Sequence, residues 1–356
     1  MPETYTVRLS PVDVEFEVEE GETILNAAFR QGIALPHGCK EGQCSACKCS
    51  LVDGEVDLMR YSTFALNDME REQGGILLCR SLALTDVEVE LQNFDEELLA
   101  KAIAVKTFDA TITRIDRLTH DIRRVELTLS QPIKFWAGQY VDITVTTANA
   151  KTITRSFSMA NPPSETQRLE FIIKRYDGGQ FSGELDGGAI AVGAACTVTG
   201  PYGACFRRDG RDGHLILVAA GSGMSPIWSI LNDHIASGED RPVLFFYGAR
   251  TQRDLFYLDE IAELAEGSPA IEFVPVLSHE ADGSDWTGAR GFVHEEVDRR
   301  LKALALDGAG DVYACGPPPM IEALTPVLFM NDFEFERIFF DKFTPSTAST
   351  TLATAD

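Results

Sequence analysis

The chain has 356 residues, enough for two or three domains that each bury a core without help from disulfides. Thirty-one Lys and Arg stand against 55 Asp and Glu, a net charge of −24, so no basic face is left to neutralise phosphates and nucleic acid is not an expected partner. The longest apolar stretch, "LILVAA" at 215–220, falls far short of the roughly 20 residues of a membrane span. "MPETYTVRLS" carries neither a basic n-region nor an apolar h-region, so a cytoplasmic protein with no membrane contact is expected.

From the N-terminus, "TYTVRL" and "VEFEVE" alternate as strands, and "ETILNAAFRQG" reads as a short helix stopped by Gly32. "HGCKEGQCSACKC" then places Cys39, Cys44 and Cys47 at C-x4-C-x2-C, with Cys79 in "ILLCRS" as a distant fourth. That spacing is the plant-type 2Fe-2S arrangement, and Gly38 and Gly42 let backbone N–H groups turn toward cluster sulfurs. Zinc more often takes two C-x2-C pairs, and only one is present; zinc and simple core thiols remain the alternatives. Cys49, on the same strand face as Cys47, is expected to be a small buried hydrophobe. "SACKCSLVDGEVD" gives a strand and an Asp-Gly turn, and "DVEVELQNF" closes the sheet. Residues 1–95 resemble the β-grasp domain of plant-type ferredoxins. They also hold 18 acids and 7 bases, more than twice the net charge per residue of the rest. Solubility and a docking face for a basic partner protein both account for this.

After a linker at 96–105, short strands punctuated by Gly and Pro run through 106–207: "FDATITRIDRL", "DIRRVELTL", "AGQYVDITV", "LEFIIKRY" and "ACTVTGPYG". They predict a closed antiparallel barrel. "RSFS", 155–158, and "GGQFSGEL", 178–185, lie within it, the latter a Gly-rich turn with Ser182 as an N-cap. Together they resemble the flavin domain of the ferredoxin-NADP reductase superfamily. The resemblance implies that Arg155 pairs with the FAD pyrophosphate, Phe157 packs along the flavin, and Ser158 bonds near N5. Gly179 and Ser182 would hold phosphates, with Ser156, Ile173, Lys174, Gln180 and Phe181 as further cofactor contacts. Phe157 stands where tyrosine is commoner, which removes one hydroxyl.

Residues 208–343 read as α/β. "HLILVAAGSGMSPIWSILNDHI" is a buried strand, a glycine turn and a helix, and "PVLFFYGARTQRDLF" and "DVYACGPPPMIEALTPVL" repeat the strand-loop pattern. G-x-G-x-x-P followed by C-G-P-P-x-M resembles the NAD(P)H domain of the same superfamily. Gly221, Gly223 and Pro226 would then face the pyrophosphate. Cys315 and Gly316 would lie beneath the nicotinamide, with Gly248, Arg250, Pro317 and Met320 nearby. Near-terminal "FFDKF" supplies Asp341 as an acid behind Ser158 and Phe343 as a cover over the flavin, before a tail at 344–356 expected to be disordered. Arg250 and Arg253 are contested by Asp254, Asp259 and Glu260, which favours NADH over NADPH. The six histidines, at 37, 120, 214, 234, 279 and 294, show no paired-ligand spacing and are expected as surface or packing residues.

Three modules in this order, a β-grasp domain, a β-barrel FAD domain and a parallel-sheet Rossmann-like NAD domain, give a multidomain chain of α+β and α/β class. NADH delivers two electrons and a 2Fe-2S cluster takes one, so a flavin is needed between them. The whole resembles reductase components of bacterial multicomponent oxygenases, and "STFALNDME", "LLCRS", "ELQNFDEE", "RSFSMANPP", "GPPPM" and "FFDKF" resemble those serving soluble di-iron monooxygenases of the propane, alkene, phenol and methane type. The catalytic set implied is Ser158, Cys315 and Asp341, the partner implied is an oxygenase hydroxylase component as electron acceptor, and the chain is expected to be a monomer when free. A reductase of a Rieske dioxygenase is the alternative, and a zinc-binding nucleotide-sensing scaffold is the alternative of another class.

Overall fold

The computed structural model describes residues 3–12, 14–33, 35–92, 103–147 and 150–343. The linker segment 96–102 and the tail 344–356 lie outside the described residues. The chain forms two compact units, Met1–Lys106 with Gly200–Ala204, and Thr107–Thr199 with Cys205–Asp356.

In the first unit β1 (Thr4–Ser10), β2 (Val14–Glu19), β3 (Lys48–Asp53), β5 (Gly75–Leu77) and β7 (Val87–Leu91) make one sheet in the order β2-β1-β7-β3-β5. β4 (Val56–Leu58) pairs separately with β6 (Ser81–Ala83). Alternation decides the faces: Val7, Leu9, Phe16, Val18, Val87, Val89 and Leu91 are buried while the intervening glutamates are exposed. β1 and β7 run parallel, and β7 lies in the middle of the sheet instead of closing it, because β3 pairs on its other side. The helix Ile24–Arg30 is capped by the Thr23 side chain and buries Ile24, Leu25, Ala27, Ala28 and Phe29. A one-turn helix not anticipated from periodicity, Asp68–Glu72, starts with a capping box between Asn67 and Glu70.

Next along the chain come β8 (Lys106–Arg117), β9 (Ile122–Leu129), β10 (Tyr140–Thr146), β11 (Thr152–Ser158), β12 (Arg168–Lys174) and β13 (Ala195–Tyr202), ordered β11-β10-β13-β8-β9-β12. This is the antiparallel barrel expected, around a core that includes Leu127, Val141, Leu169, Phe171 and Val198. The edges β11 and β12 meet at a single bridge, Met159 with Phe171.

The remainder is a parallel sheet of β14 (His214–Ala220), β15 (Val243–Ala249), β16 (Ile271–Leu277), β17 (Ala289–Arg290), β18 (Gly310–Gly316) and β19 (Ile338–Lys342), ordered β17-β16-β15-β14-β18-β19. Leu215, Leu217 and Ala219 pack into one core and Ile216 and Val218 into another, because a parallel sheet buries both faces. The first of these cores also takes in Ile122, Ala137, Ala160 and Ile172 of the barrel, so the two halves of this unit share apolar interior. At the base of the sheet the fully buried Asp311 carboxylate lies 2.6 Å from Arg241 Nη2, with Arg211 at 3.5 Å and Arg337 at 3.6 Å. Arg241 also donates to the backbone oxygens of Gly213 and His214. Breaking a buried pair strands its partner. Arg241→Ala is therefore expected to destabilise this unit by about 3 kcal/mol, read as a lower denaturation midpoint of the flavin-loaded protein; an unchanged midpoint would show that Arg211 and Arg337 suffice for Asp311.

Candidate functional site

The four cysteines Cys39, Cys44, Cys47 and Cys79 form no disulfide; the last three are buried and Cys39 is half-buried. Backbone N–H groups of Glu41 and Gln43 donate to Cys39 Sγ at 3.4 and 3.2 Å, and Cys39 N–H donates to Cys44 Sγ at 3.3 Å. The Cys39 thiol is pulled down to about 6, first by its contact with the Cys44 thiol and then by these N–H groups, while Cys44 is pushed up by the same contact and by burial. Any Cβ on Gly38 would lie 2.8 Å from Cys44 Sγ, so the loop can pass this close to sulfur only with glycine there. Soft thiol donors ringed by N–H groups suit an anionic iron-sulfur cluster. Cys49, fully buried on β3 opposite Ile76, faces the sheet core. His37 is a packing residue: Nδ1 donates to Leu35 O at 2.7 Å, Nε2 accepts from Gly203 N–H at 3.0 Å, and the ring rests edge-on against Phe29.

In the barrel, β11 presents Arg155, Ser156, Phe157 and Ser158 along one edge. Arg155 donates to Thr154 O at 2.6 Å and to Gln180 Oε1 at 3.1 Å. It has no carboxylate partner among the described residues, so its charge is left for an anionic ligand such as a pyrophosphate. Ser156 donates to Asp142 at 2.6 Å. Phe157 packs edge-on against Phe181, 4.8 Å between ring centres. Ser158 is buried. The helix Gln180–Asp186 is capped by Gly179, which corrects the reading of Ser182 as N-cap: Ser182 lies in the first turn and its Oγ accepts from Tyr176 N–H at 3.3 Å. Phe181 and Ile173 point into the barrel core, leaving only their backbone for a cofactor.

A cavity of about 310 Å³ follows the carboxyl ends of the parallel strands, where open α/β sheets bind ligands. Its wall includes Lys174, Gly221, Gly248, Arg250, Pro317, Met320 and Phe343, all anticipated from sequence, and it takes one side from the barrel. Pro226 and Gly223 are absent from that wall. Gly223 is packed so tightly on β18 that a Cβ would lie 2.0 Å from Cys315 O, and Pro226 is buried in the first turn of the helix Met224–Ser237. These two residues thus hold the turn in place. Gly316 is likewise buried, 2.7 Å from Met320 Cε for any added Cβ.

Cys315 is fully buried, its Sγ 3.9 Å from that of Cys205, and burial pushes its thiol up, so it is neutral. Asp341 stands next to Cys315 in the β18–β19 register, and its backbone N–H reaches the Cys315 sulfur. Phe343 is tied down by its N–H to Gly316 O at 2.9 Å. Sequence reasoning missed Asp121, Tyr176, Ser222, Ser278 and Phe292 of the wall. It also missed that His120 Nδ1 lies 3.8 Å from both Asp121 and Asp254. Ser222 lies inside the glycine motif, but no motif marks the others, because separate strands and loops bring them together.

Three family models match in succession: the 2Fe-2S iron-sulfur cluster binding domain over 7–84, the oxidoreductase FAD-binding domain over 109–206 and the oxidoreductase NAD-binding domain over 217–325. The chain is 43% identical over 350 residues to the reductase component of propane 2-monooxygenase from Mycolicibacterium goodii, covering 97% of this chain and 98% of that one. It is 36% identical to the reductase component of phenol 2-monooxygenase from Pseudomonas sp. strain CF600, covering 96% and 94%. Among solved structures the Amycolatopsis cytochrome P450 reductase GcoB superposes with a TM-score of 0.82 at 31% identity, covering 96% of this chain and all of that one. No helix among the described residues is long and apolar enough to cross a membrane. With thiols, flavin barrel and nucleotide sheet present in one chain and relatives matched over nearly their full length, this protein belongs to the family of NADH-dependent flavin iron-sulfur reductases that supply electrons to an oxygenase component.

Proposed function

We propose that the acceptor is the hydroxylase of a soluble di-iron monooxygenase of the propane type, and that the chain works in the cytoplasm as a monomer when free. The full-length 43% identity to a propane 2-monooxygenase reductase component carries the choice of partner over a Rieske oxygenase. Eight free cysteines suit a reducing compartment. Domains are proposed at 1–95, 106–207 and 208–343.

Bound FAD would supply the chemistry that joins a two-electron hydride donor to a one-electron 2Fe-2S acceptor. Cys39, Cys44, Cys47 and Cys79 would hold that cluster. Arg155, with Gln180 bracing it and Gly179 opening the adjoining turn, would neutralise the flavin pyrophosphate, and Phe157 would flank the ring system. Ser158 would donate to the flavin where charge develops. The cavity from Phe292 to Phe343 would hold the dinucleotide against Lys174 of the barrel. The neutral Cys315 would shape the nicotinamide floor from below, with Asp341 fixing its sulfur. Reconstitution tests the partner: NADH-driven turnover should appear with a propane-type hydroxylase and its coupling protein, whereas turnover only with a Rieske oxygenase overturns the proposal.

Single replacement of Cys39, Cys44, Cys47 or Cys79 by Ala is expected to abolish the cluster's visible absorption and bound iron while NADH oxidation with a two-electron acceptor persists, because the flavin and nucleotide sites lie in the other unit. Cys49→Ala should keep both iron and colour. In stopped-flow reduction by NADH, Ser158→Ala should retain FAD and react on the order of 10- to 1000-fold more slowly, the range for lost polar transition-state contacts. Cys315→Ala should slow the same step less, on the order of 10-fold, because a neutral buried thiol contributes shape more than charge. Wild-type rates in both variants would remove them from the site. Electron delivery to the hydroxylase at low protein concentration should fall as salt rises, with internal flavin reduction little changed; equal sensitivity of the two steps would assign the acid excess to solubility.

A further inference from the structure

The barrel's strand order leaves β11 and β12 as edges, and an edge exposes backbone groups that need partners. The backbone joins them at Met159 with Phe171, and Ala160 N–H donates to Glu170 O at 2.7 Å. At the next position the antiparallel register would set Ser158 against Ile172, and there the rung is made by a side chain. Ser225 Oγ donates to Ser158 O at 2.6 Å and accepts from Ile172 N–H at 3.3 Å.

Ser225 comes from the nucleotide half. It is the second residue of the helix Met224–Ser237, directly after the Gly221–Gly223 turn whose first residue lines the cavity, and it is 1% exposed. It does not line the cavity itself. One helical turn on, the fully buried Ser229 donates to Asn161 O at 2.7 Å, a second tie that does not touch Ser158.

We propose that Ser225 is a positioning residue for hydride transfer, its hydroxyl completing the barrel rung and setting Ser158 and the Gly221–Gly223 turn in one rigid frame. The proposal rests on Ser158 facing the flavin. Ser158 reports to the flavin side and Gly221 to the nucleotide side, so one hydroxyl fixes the distance across which hydride moves. A misplacement of about 1 Å at a reacting pair costs on the order of 100-fold, so loss of this bond is felt in the rate without any contact to either ligand.

The test uses the FAD-loaded full chain with Ser225→Ala, Ser225→Thr, Ser229→Ala and Ser158→Ala, measuring single-turnover flavin reduction over a range of NADH and C4-deuterated NADH concentrations. Ser225→Ala is expected to lower the limiting rate on the order of 10-fold while the apparent Kd for NADH stays within about threefold. Its primary isotope effect should be at least that of wild type, and Ser225→Thr, which keeps the hydroxyl, should recover most of the rate. Ser229→Ala should stay within about twofold of wild type. A wild-type limiting rate in Ser225→Ala with a slow Ser158→Ala overturns the positioning role alone. Equal slowing in Ser229→Ala overturns it in favour of general docking of the two halves. A wild-type rate in Ser158→Ala removes the flavin reading and this proposal with it.

Discussion

A six-strand order running from β11 to β12 cannot close on backbone bonds alone, and the missing rung is filled by a serine from the first helix of the adjoining sheet. Buried backbone groups must be paired, so the barrel is complete only with the nucleotide half in place. The surrounding contacts repeat the arrangement. Tyr257 of the nucleotide half donates to the buried Glu170 of β12 at 2.9 Å, and Asn161 receives Ser229 at its backbone and Glu170 N–H at its side chain. The apolar core that runs from Ile172 and Ile122 into Leu217 and Tyr313 makes the same join without directionality. Polar ties set the register between the halves and apolar contact supplies the adhesion.

Charge is distributed by the same geometric rules. In the first unit, period-two alternation places Glu15, Glu17 and Glu19 of β2 and Glu88 and Glu90 of β7 outward while Phe16, Val18, Val87 and Val89 go inward. Part of the acidic character of that unit is therefore the solvent face of its sheet. In the second unit two buried charges stand among partners: Asp311 among three arginines, and Arg207 among Asp209, Asp233 and Glu239. The site charges follow another logic. Arg155 is left without a carboxylate among the described residues, while Lys174 is shared with Asp121 at 3.4 Å on the cavity wall.

Function follows from three environments of different chemistry in one chain. Soft sulfur donors ringed by N–H groups suit a one-electron centre, a barrel edge with an unclaimed arginine suits a flavin diphosphate, and the carboxyl ends of a parallel sheet suit a dinucleotide. Cys315 shapes its surroundings without touching the cavity's open space. Its carbonyl sets how closely Gly223 approaches, its sulfur packs on Cys205, and its strand neighbour Asp341 anchors it from the other side.

The modules and their order were legible in the sequence because each rests on local chemistry. Cysteine spacing, the R-S-F-S strand, the glycine turn after "LILVAA" and the C-G-P-P turn are short-range patterns, and most strands announced themselves by alternation or by continuous apolar runs. Strand β17 and the capped turn Asp68–Glu72 did not, having too few residues for a period to show, and β16, broken by Pro275, and β19 showed no such pattern either. Ser182 looked like a cap because it follows a glycine pair, but the helix begins at the glycine itself. The motif marked Gly223 and Pro226 without showing that both also pack the turn, Gly223 against β18 and Pro226 in the helix interior. What only the tertiary structure decided is which residues meet across elements: Asp121 with Asp254, Asp341 with Cys315, and Ser225 with Ser158 and Ile172. The reason is physical. Spacing along a chain encodes contacts within a turn, a strand or a helix, while a contact between residues 67 positions apart, as in the Ser225–Ser158 bond, is set by how two sheets pack.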